Sequence, residues 1–170
     1  RMVTHQRHCP SVELNVIWNE KIFMLDKAAN LNPFQSEWFL WVDAGICTFR
    51  DNRPSTEPSD KLSELDALPK DKIIYTSSGD FYDSSAVNVN SYYHYVSGTS
   101  YMIHRDFISF IALIYDDYFN RLASRNNIWT DQVLLTHIYK DIPSMFYKWF
   151  NGYGMIAKYL FGTADSQLKE

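Results

Sequence analysis

The stretch WNEKIFMLDKAANLNPFQSEWFLWVDAGI, residues 18–46, contains the two patterns that decide the fold. In its first half, apolar residues recur three or four positions apart, which is the spacing of one helix face. These residues are Trp18, Ile22, Leu25 and Ala29, and Asn32-Pro33 should end the helix. Residues 38–42 (WFLWV) are apolar without alternation, as in a short strand that is buried on both faces. The stretch therefore predicts a helix followed by a strand that stops at Asp43.

Two further segments are predicted as strands. Residues 72–76 (KIIYT) are rich in β-branched and aromatic residues, and residues 92–103 alternate loosely between apolar and polar side chains. Gly98 indicates an interruption of the second segment, where another group approaches the backbone closely. Residues 77–90 are rich in Ser, Asp, Asn and Gly, so we expect a polar loop there.

Helices are predicted in the remaining segments. Residues 50–60 contain two prolines and should form an exposed loop before a short helix. Asp106 is expected to cap a long helix, and Thr130 to cap another with Asp131 in its first turn. The short helix should run through Leu62, Leu65 and Leu68. The apolar positions expected to face the core are Phe107, Phe110, Ile111, Ile114, Tyr118 and Leu122 in the long helix, and Val133, Leu134 and Ile138 in the last one. Strands that alternate with helices favour an α/β fold.

Composition narrows the class of protein. The 170 residues suit one domain, residues 1–170. A net charge of -4 argues against nucleic acid as a partner, and no apolar run approaches the roughly 20 residues that a membrane crossing needs. The chain contains 5 Trp, 12 Tyr and 11 Phe, side chains that fill cores and also line sugar- and base-binding clefts. The sequence lacks the GxxxxGK[ST], GxGxxG, HExxH and GxSxG motifs, so it carries none of the usual signatures of ATPases, dinucleotide-binding enzymes, zincins and α/β-hydrolases.

Asp43 is the first candidate for a functional residue. Ligands of open α/β sheets bind just beyond the carboxyl ends of strands. Small residues at positions 44 and 45, Ala44 and Gly45, would let a bulky anion and its metal approach the backbone. A carboxylate there could hold Mg²⁺ or Mn²⁺, which would neutralise the diphosphate that leaves a sugar nucleotide. The alternative is a simple turn in which Asp43 hydrogen-bonds its own backbone.

A second group of candidates lies further along the chain. Asp131 and Gln132 supply the paired acceptors and donors that hold sugar hydroxyls, although a carboxylate at a helix start also serves ordinary helix stability. The segment Ser97-Gly98-Thr99 could place bare backbone beside a ligand, although a bulge explains the glycine equally well.

Basic and aromatic side chains complete the candidates. Lys21 could reach a phosphate as a point charge, although most helix lysines are only solvated. Trp18, Trp41 and Trp149 could offer stacking faces, with core packing as the alternative for Trp41.

The order of these motifs resembles the HtrL/YibB-like family of glycosyltransferases. That family shares a helix with a W..K motif, then Asn-Pro-Phe, then a strand ending in W-[IV]-D-x-G. The corresponding residues here are Trp18 with Lys21, Asn32-Pro33-Phe34, and Trp41-Val42-Asp43-Ala44-Gly45. Downstream, VSGTSYMIHRDFISFI and WTDQVLLTHIY are similar to a glycine-containing strand with its helix and to an acidic helix of GT-A-type transferases.

The resemblance implies a GT-A-like fold, with a mixed central sheet and flanking helices, and Asp43 in the place of a DxD metal motif. Gly45 stands where the second carboxylate would lie. Either another acid completes the site, with Asp51, Asp80 and Asp83 as loop candidates, or dependence on Mn²⁺ or Mg²⁺ is weak or absent. By the same analogy, Asp131 would grip the donor sugar or act as the catalytic base, with Gln132 beside it. The first strand of such a domain would lie before residue 1, so a fragment that lacks part of the nucleotide pocket is expected.

The sequence thus predicts an enzyme that transfers a sugar from a nucleotide-diphosphate donor, expected to be a UDP-sugar, to a glycan or other hydroxyl acceptor. The first alternative is a carbohydrate- or nucleotide-sugar-binding module without turnover. The second is a glycoside hydrolase, ranked last because no pair of acids is singled out by a motif. Location depends on residues upstream of the chain: cytoplasmic in a bacterium, or the secretory pathway if a leader precedes it.

Overall fold

A computed structural model describes residues 9, 11–44, 59–125 and 129–162. The α-helices in these ranges are α1 (Val12–Asn19), α2 (Lys21–Leu31), α3 (Arg105–Ser124), α4 (Asp131–Asp141) and α5 (Met155–Phe161). The strands are β1 (Trp38–Val42), β2 (Ile73–Ser77), β3 (Val96–His104) and β4 (Phe146–Asn151), and two 3₁₀ helices span Asp60–Ala67 and Pro143–Met145. The predicted α/β class is confirmed. None of the helices in the described ranges has the length and apolar character needed to cross a bilayer.

The strands form one mixed sheet in the order β1-β3-β2-β4. β3 is antiparallel to both β1 and β2, and β4 is parallel to β2, so β1, β2 and β4 run in one direction. The carboxyl ends of these three strands therefore share one edge of the sheet with the amino end of β3. Residues that follow β1 and β4 meet the first residues of β3 at that edge.

Helices cover both faces of the sheet. Side chains alternate across a strand, so Tyr75 and Tyr101 pack into a large cluster with α2, α3 and α4, whereas Ile74 and Met102 pack with α5. β2 and β3 are buried almost throughout, so the centre of the hydrophobic core lies directly beneath the edge described above.

The structure confirms the outline of residues 18–46 and corrects two details. The predicted strand is β1, but it is half-buried rather than buried on both faces, because it is an outermost strand of the sheet that the structure describes, with a neighbour on one side only. The predicted helix is α2 and ends at Asn32 as expected. Trp18 instead belongs to α1, because the helix is interrupted at Glu20.

The start and the buried face of α3 differ from the prediction. His104 is the cap, and its Nδ1 accepts a hydrogen bond from the Asp106 N–H at 3.4 Å, so Asp106 lies in the first turn. The buried face is Ile108, Ile111, Ala112, Tyr115, Tyr118 and Leu122. Phe110 was predicted to face the core but is 50% exposed. Three apolar rows run along this helix, and spacing alone does not decide which row faces the sheet.

Other predictions hold with smaller changes. The short helix after the predicted exposed loop is the 3₁₀ helix Asp60–Ala67, whereas most of that loop lies outside the described residues. Thr130 occupies the cap position of α4 without a side-chain capping bond. β3 runs through Gly98 without a break, although its pairing with β2 is irregular between Val96 and Tyr101.

Candidate functional site

A pocket of about 150 Å³ lies at the edge where β1 and β4 end and β3 begins. Its lining contains most of the side chains that the sequence singled out: Trp18, Lys21, Asp43, Gly98, Thr99, Asp131 and Gln132, together with Tyr153. These residues come from separate parts of the chain, so the fold itself assembles the pocket.

Lys21 is the centre of the charged network beneath this pocket. Lys21 is the first residue of α2 and is only 2% exposed. The ammonium lies 2.9 Å from Asp43 Oδ1 and 3.0 Å from Asp131 Oδ2, and it donates a hydrogen bond to the Gly98 carbonyl at 2.9 Å. An ammonium has three N–H donors, and here three protein oxygens surround it. A buried lysine requires this kind of pairing, because an isolated buried charge is strongly unfavourable.

Asp43 is fixed from two sides. Its N–H donates to the Thr99 carbonyl at 2.9 Å, which extends the β1–β3 pairing by one residue. Trp41 Nε1 donates to Asp43 Oδ1 at 2.6 Å, the same oxygen that contacts Lys21. The side chain remains 27% exposed. Asp43 is therefore a pre-oriented carboxylate that a ligand can reach.

Asp131 is the buried member of the network. It begins α4 and is 3% exposed. The pKa of Asp131 is raised to about 6, mainly by burial and also by the nearby Asp43 carboxylate, while Lys21 acts in the opposite direction. The contact with Lys21 is an ion pair without hydrogen-bond alignment at Oδ2. A carboxyl group that titrates near neutral pH is suited to proton transfer.

Gly98 allows this carboxylate to lie against β3. A Cβ atom added at Gly98 would clash with the Asp131 carboxylate. Glycine is therefore required by close approach, as the sequence indicated.

We expect Gly98→Ala to lower the free energy of unfolding by about 1–3 kcal/mol, because the new methyl group would displace the buried Asp131. Urea unfolding measures the change. Gly79→Ala is the control, since nothing lies within 4 Å of a Cβ there. Equal stability of the two variants would contradict the observed packing of Asp131 against β3.

The chain matches a family model over residues 1–158, and that model is described as "Bacterial protein of unknown function (HtrL_YibB)". The match covers most of the chain. This protein belongs to the HtrL_YibB family. Comparisons with curated proteins and with solved structures found no match.

Three predicted site residues of this HtrL_YibB chain are not found in the pocket lining: two lie beside it, and the third is not among the residues that the structure describes. Ser97 is fully buried and does not line the pocket, and its Oγ lies 2.8 Å from Thr99 Oγ1. Ala44 is exposed and does not line the pocket. Gly45 lies outside the described residues. Gln132 does line the pocket, and its Oε1 accepts a hydrogen bond from the Gly98 N–H at 3.4 Å.

Tyr153 is the pocket residue that the sequence reasoning missed. It lies between Gly152 and Gly154, which both have positive φ and turn the chain after β4. Its hydroxyl lies 2.8 Å from His94 Nε2. The sequence reasoning also missed β4, although FYKWF at residues 146–150 is a strand-like run between Pro143 and Gly152. Recognition of that strand would have placed the turn that carries Tyr153 next to the other strand ends.

The described residues do not fit a resident divalent cation beside Asp43. Within the described ranges, no group of three His, Cys, Asp or Glu side chains converges as a metal site would require. Asp80 and Asp83 are exposed and do not line the pocket, and Asp51 lies outside the description. Asp131 is the other acid in the pocket lining, but the Lys21 ammonium fills the position between Asp43 and Asp131 where a metal ion would bind.

Proposed function

We propose that this HtrL_YibB protein is a glycosyltransferase that moves a sugar from a nucleotide-diphosphate donor, a UDP-sugar in the first instance, to a glycan or other hydroxyl acceptor. The observation that carries the proposal is the convergence of Asp43, Asp131 and Gln132 on one pocket at the carboxyl edge of the sheet. Ligands of open α/β sheets bind at this edge. The mixed sheet with helices on both faces supports a GT-A-like arrangement.

The size of the pocket favours a sugar ring as its occupant. Sites for drug-sized ligands enclose roughly 300–1,000 Å³, whereas this one encloses about 150 Å³. Carboxylate and amide groups supply acceptors and donors for sugar hydroxyls, and Trp18 and Tyr153 add aromatic surface to the lining. The nucleotide would therefore extend beyond the pocket.

The proposed chemistry is a displacement at the anomeric carbon. The acceptor oxygen forms the new bond to that carbon while the bond to the diphosphate oxygen breaks. The diphosphate leaves with the electron pair of that bond, and Asp131 accepts the proton of the acceptor hydroxyl. Asp43 and Gln132 orient the ring, which reduces the entropic part of the barrier. General-base catalysis of this type contributes about 10²–10⁴-fold to the rate.

The pH dependence of turnover should follow Asp131. The base must be ionised, so kcat/KM should fall as the pH drops through about 6, the pKa to which burial raises this carboxyl. The charged and titratable groups that face it are Lys21, Asp43, Tyr101 and Tyr115. Initial rates between pH 5 and 8 would measure the acidic limb.

Circular dichroism across the same range separates this effect from unfolding. An acid with a raised folded-state pKa favours the folded state most when it is protonated, and this contribution is lost as the pH rises through about 6. Titration of Asp131 therefore does not unfold the protein at pH 5. A flat rate profile with an intact fold would contradict the role of Asp131 as the base.

The direct test is release of UDP from a panel of UDP-sugars with and without hydroxyl acceptors, followed by chromatography. Acceptor-dependent release of UDP supports the transferase. Binding of neither a sugar nor a nucleotide sugar would refute it.

One observation favours a second candidate, a carbohydrate-binding module without turnover. The Lys21 ammonium is surrounded by protein oxygens, so Asp43 and Asp131 leave the pocket with one uncompensated negative charge when both are ionised. Such a pocket accepts a neutral sugar more readily than a free diphosphate. Sugar binding without any release of UDP would select this candidate.

A further inference from the structure

We propose that Lys21 is the built-in cation of this pocket: its ammonium occupies a three-oxygen cradle formed by Asp43, Asp131 and the Gly98 carbonyl, in the place where a divalent ion would otherwise be needed. The pocket is therefore organised without a bound metal ion. That its sugar ligand also binds without a metal ion rests on the proposed function.

The geometry around the ammonium is that of a cation site. Asp43 Oδ1, the Gly98 carbonyl oxygen and Asp131 Oδ2 lie at 2.9, 2.9 and 3.0 Å from Nζ. Carboxylate and carbonyl oxygens are also the ligands that hard divalent cations prefer. The oxygens come from three separate elements, so the cradle depends on the tertiary fold rather than on a local turn.

Contacts with neighbouring residues hold both carboxylates in place around the Lys21 ammonium. Trp41 Nε1 holds Asp43 Oδ1 at 2.6 Å. The absence of a side chain at Gly98 lets Asp131 approach β3. Lys21 is 2% exposed, so its positive charge stays in the cradle rather than moving into solvent. An ammonium there balances one carboxylate, which is why two acids can lie beside each other without a metal ion.

This arrangement predicts where a metal ion would appear if the ammonium were removed. Lys21→Ala leaves two carboxylates and a carbonyl oxygen facing a space vacated by a cation. Mn²⁺ requires shorter bonds than an ammonium does, and the carboxylate side chains can shorten those distances by small rotations. The variant should therefore gain a Mn²⁺ site that the natural chain lacks.

Electron paramagnetic resonance of Mn²⁺ tests the proposal without any sugar or nucleotide. The natural chain and Asp43→Asn should bind equal amounts of Mn²⁺, because Asp43 holds none in the natural chain. Lys21→Ala should bind one more Mn²⁺ than Lys21→Ala with Asp43→Asn. Added Mn²⁺ should also raise the unfolding temperature of Lys21→Ala but not that of the double variant, because a ligand stabilises the state that binds it.

Two results would overturn the proposal. One is a Mn²⁺ ion bound by the natural chain and lost in Asp43→Asn, which would make Asp43 a metal ligand in the presence of Lys21. The other is a folded Lys21→Ala variant that binds no additional Mn²⁺. If Lys21→Ala does not fold with or without Mn²⁺, the comparison of the natural chain with Asp43→Asn decides alone. Because these measurements use no donor, their outcome is independent of whether the protein transfers sugars.

Discussion

Asp131→Asn should reduce turnover of a nucleotide sugar by about 10²–10⁴-fold, the range that general-base catalysis supplies. Asparagine has nearly the shape of aspartate but does not accept a proton at neutral pH. Binding of the donor should stay close to that of the natural chain, because Asp43 and Gln132 remain in the pocket. The measurement is kcat from release of UDP, together with the donor dissociation constant from calorimetry.

The same variant should not lose stability at neutral pH. Burial raises the pKa of Asp131 to about 6, so the ionised form is disfavoured in the folded protein. A neutral amide removes that unfavourable charge, and Lys21 keeps its contacts with Asp43 and the Gly98 carbonyl. Lost turnover in a stable protein would therefore report on chemistry.

Asp106→Asn is the matched control, because Asp106 also lies in the first turn of a helix but its side chain is 73% exposed. It should retain full turnover. Full turnover in Asp131→Asn would instead mean that Asp131 serves only the start of α4 and the ion pair with Lys21.

Local patterns predicted the elements that carry the site. The unbroken apolar run before Asp43 predicted both the strand and the position of the carboxylate at its end, although that strand is half-buried rather than buried on both faces. Gly98 within a strand-like segment correctly indicated a close approach. These features depend on neighbouring residues only, so they can be recognised without knowledge of the fold.

The contacts that define the pocket depend on residues far apart in the chain. Lys21 lies on a helix, where lysines are usually solvated. It can be buried here because Asp131, which is 110 residues further along the chain, pairs with its ammonium. Neither the sequence pattern nor the DxD analogy indicated that one ammonium would join both acids. Which row of α3 faces the sheet was also undetermined by spacing, because that choice depends on the position of α2 and α4.

The ion pairs of Lys21 lead to the largest expected effect on stability. Lys21→Met keeps most of the side-chain length and removes the charge. Breaking a buried ion pair by removal of one partner costs about 3–5 kcal/mol, since the remaining charge is buried without compensation. We therefore expect a loss of this size in the free energy of unfolding at pH 8, measured by urea unfolding. Lys27→Met is the control on the same helix, because Lys27 is exposed.

The loss should also depend on pH and on Asp131. Lys21 lowers the pKa of Asp131, so without it this carboxyl would titrate above about 6 and would be neutral in acid. The deficit of Lys21→Met should therefore shrink as the pH falls from 8 to 5. At pH 8, the loss of stability caused by Lys21→Met should also be smaller in a chain that already carries Asp131→Asn, because that change removes the buried carboxylate that Lys21→Met leaves unpaired. A deficit that stayed constant in both comparisons would mean that Lys21 stabilises the fold through its aliphatic chain alone, and the two carboxylates would then not be coupled through its ammonium.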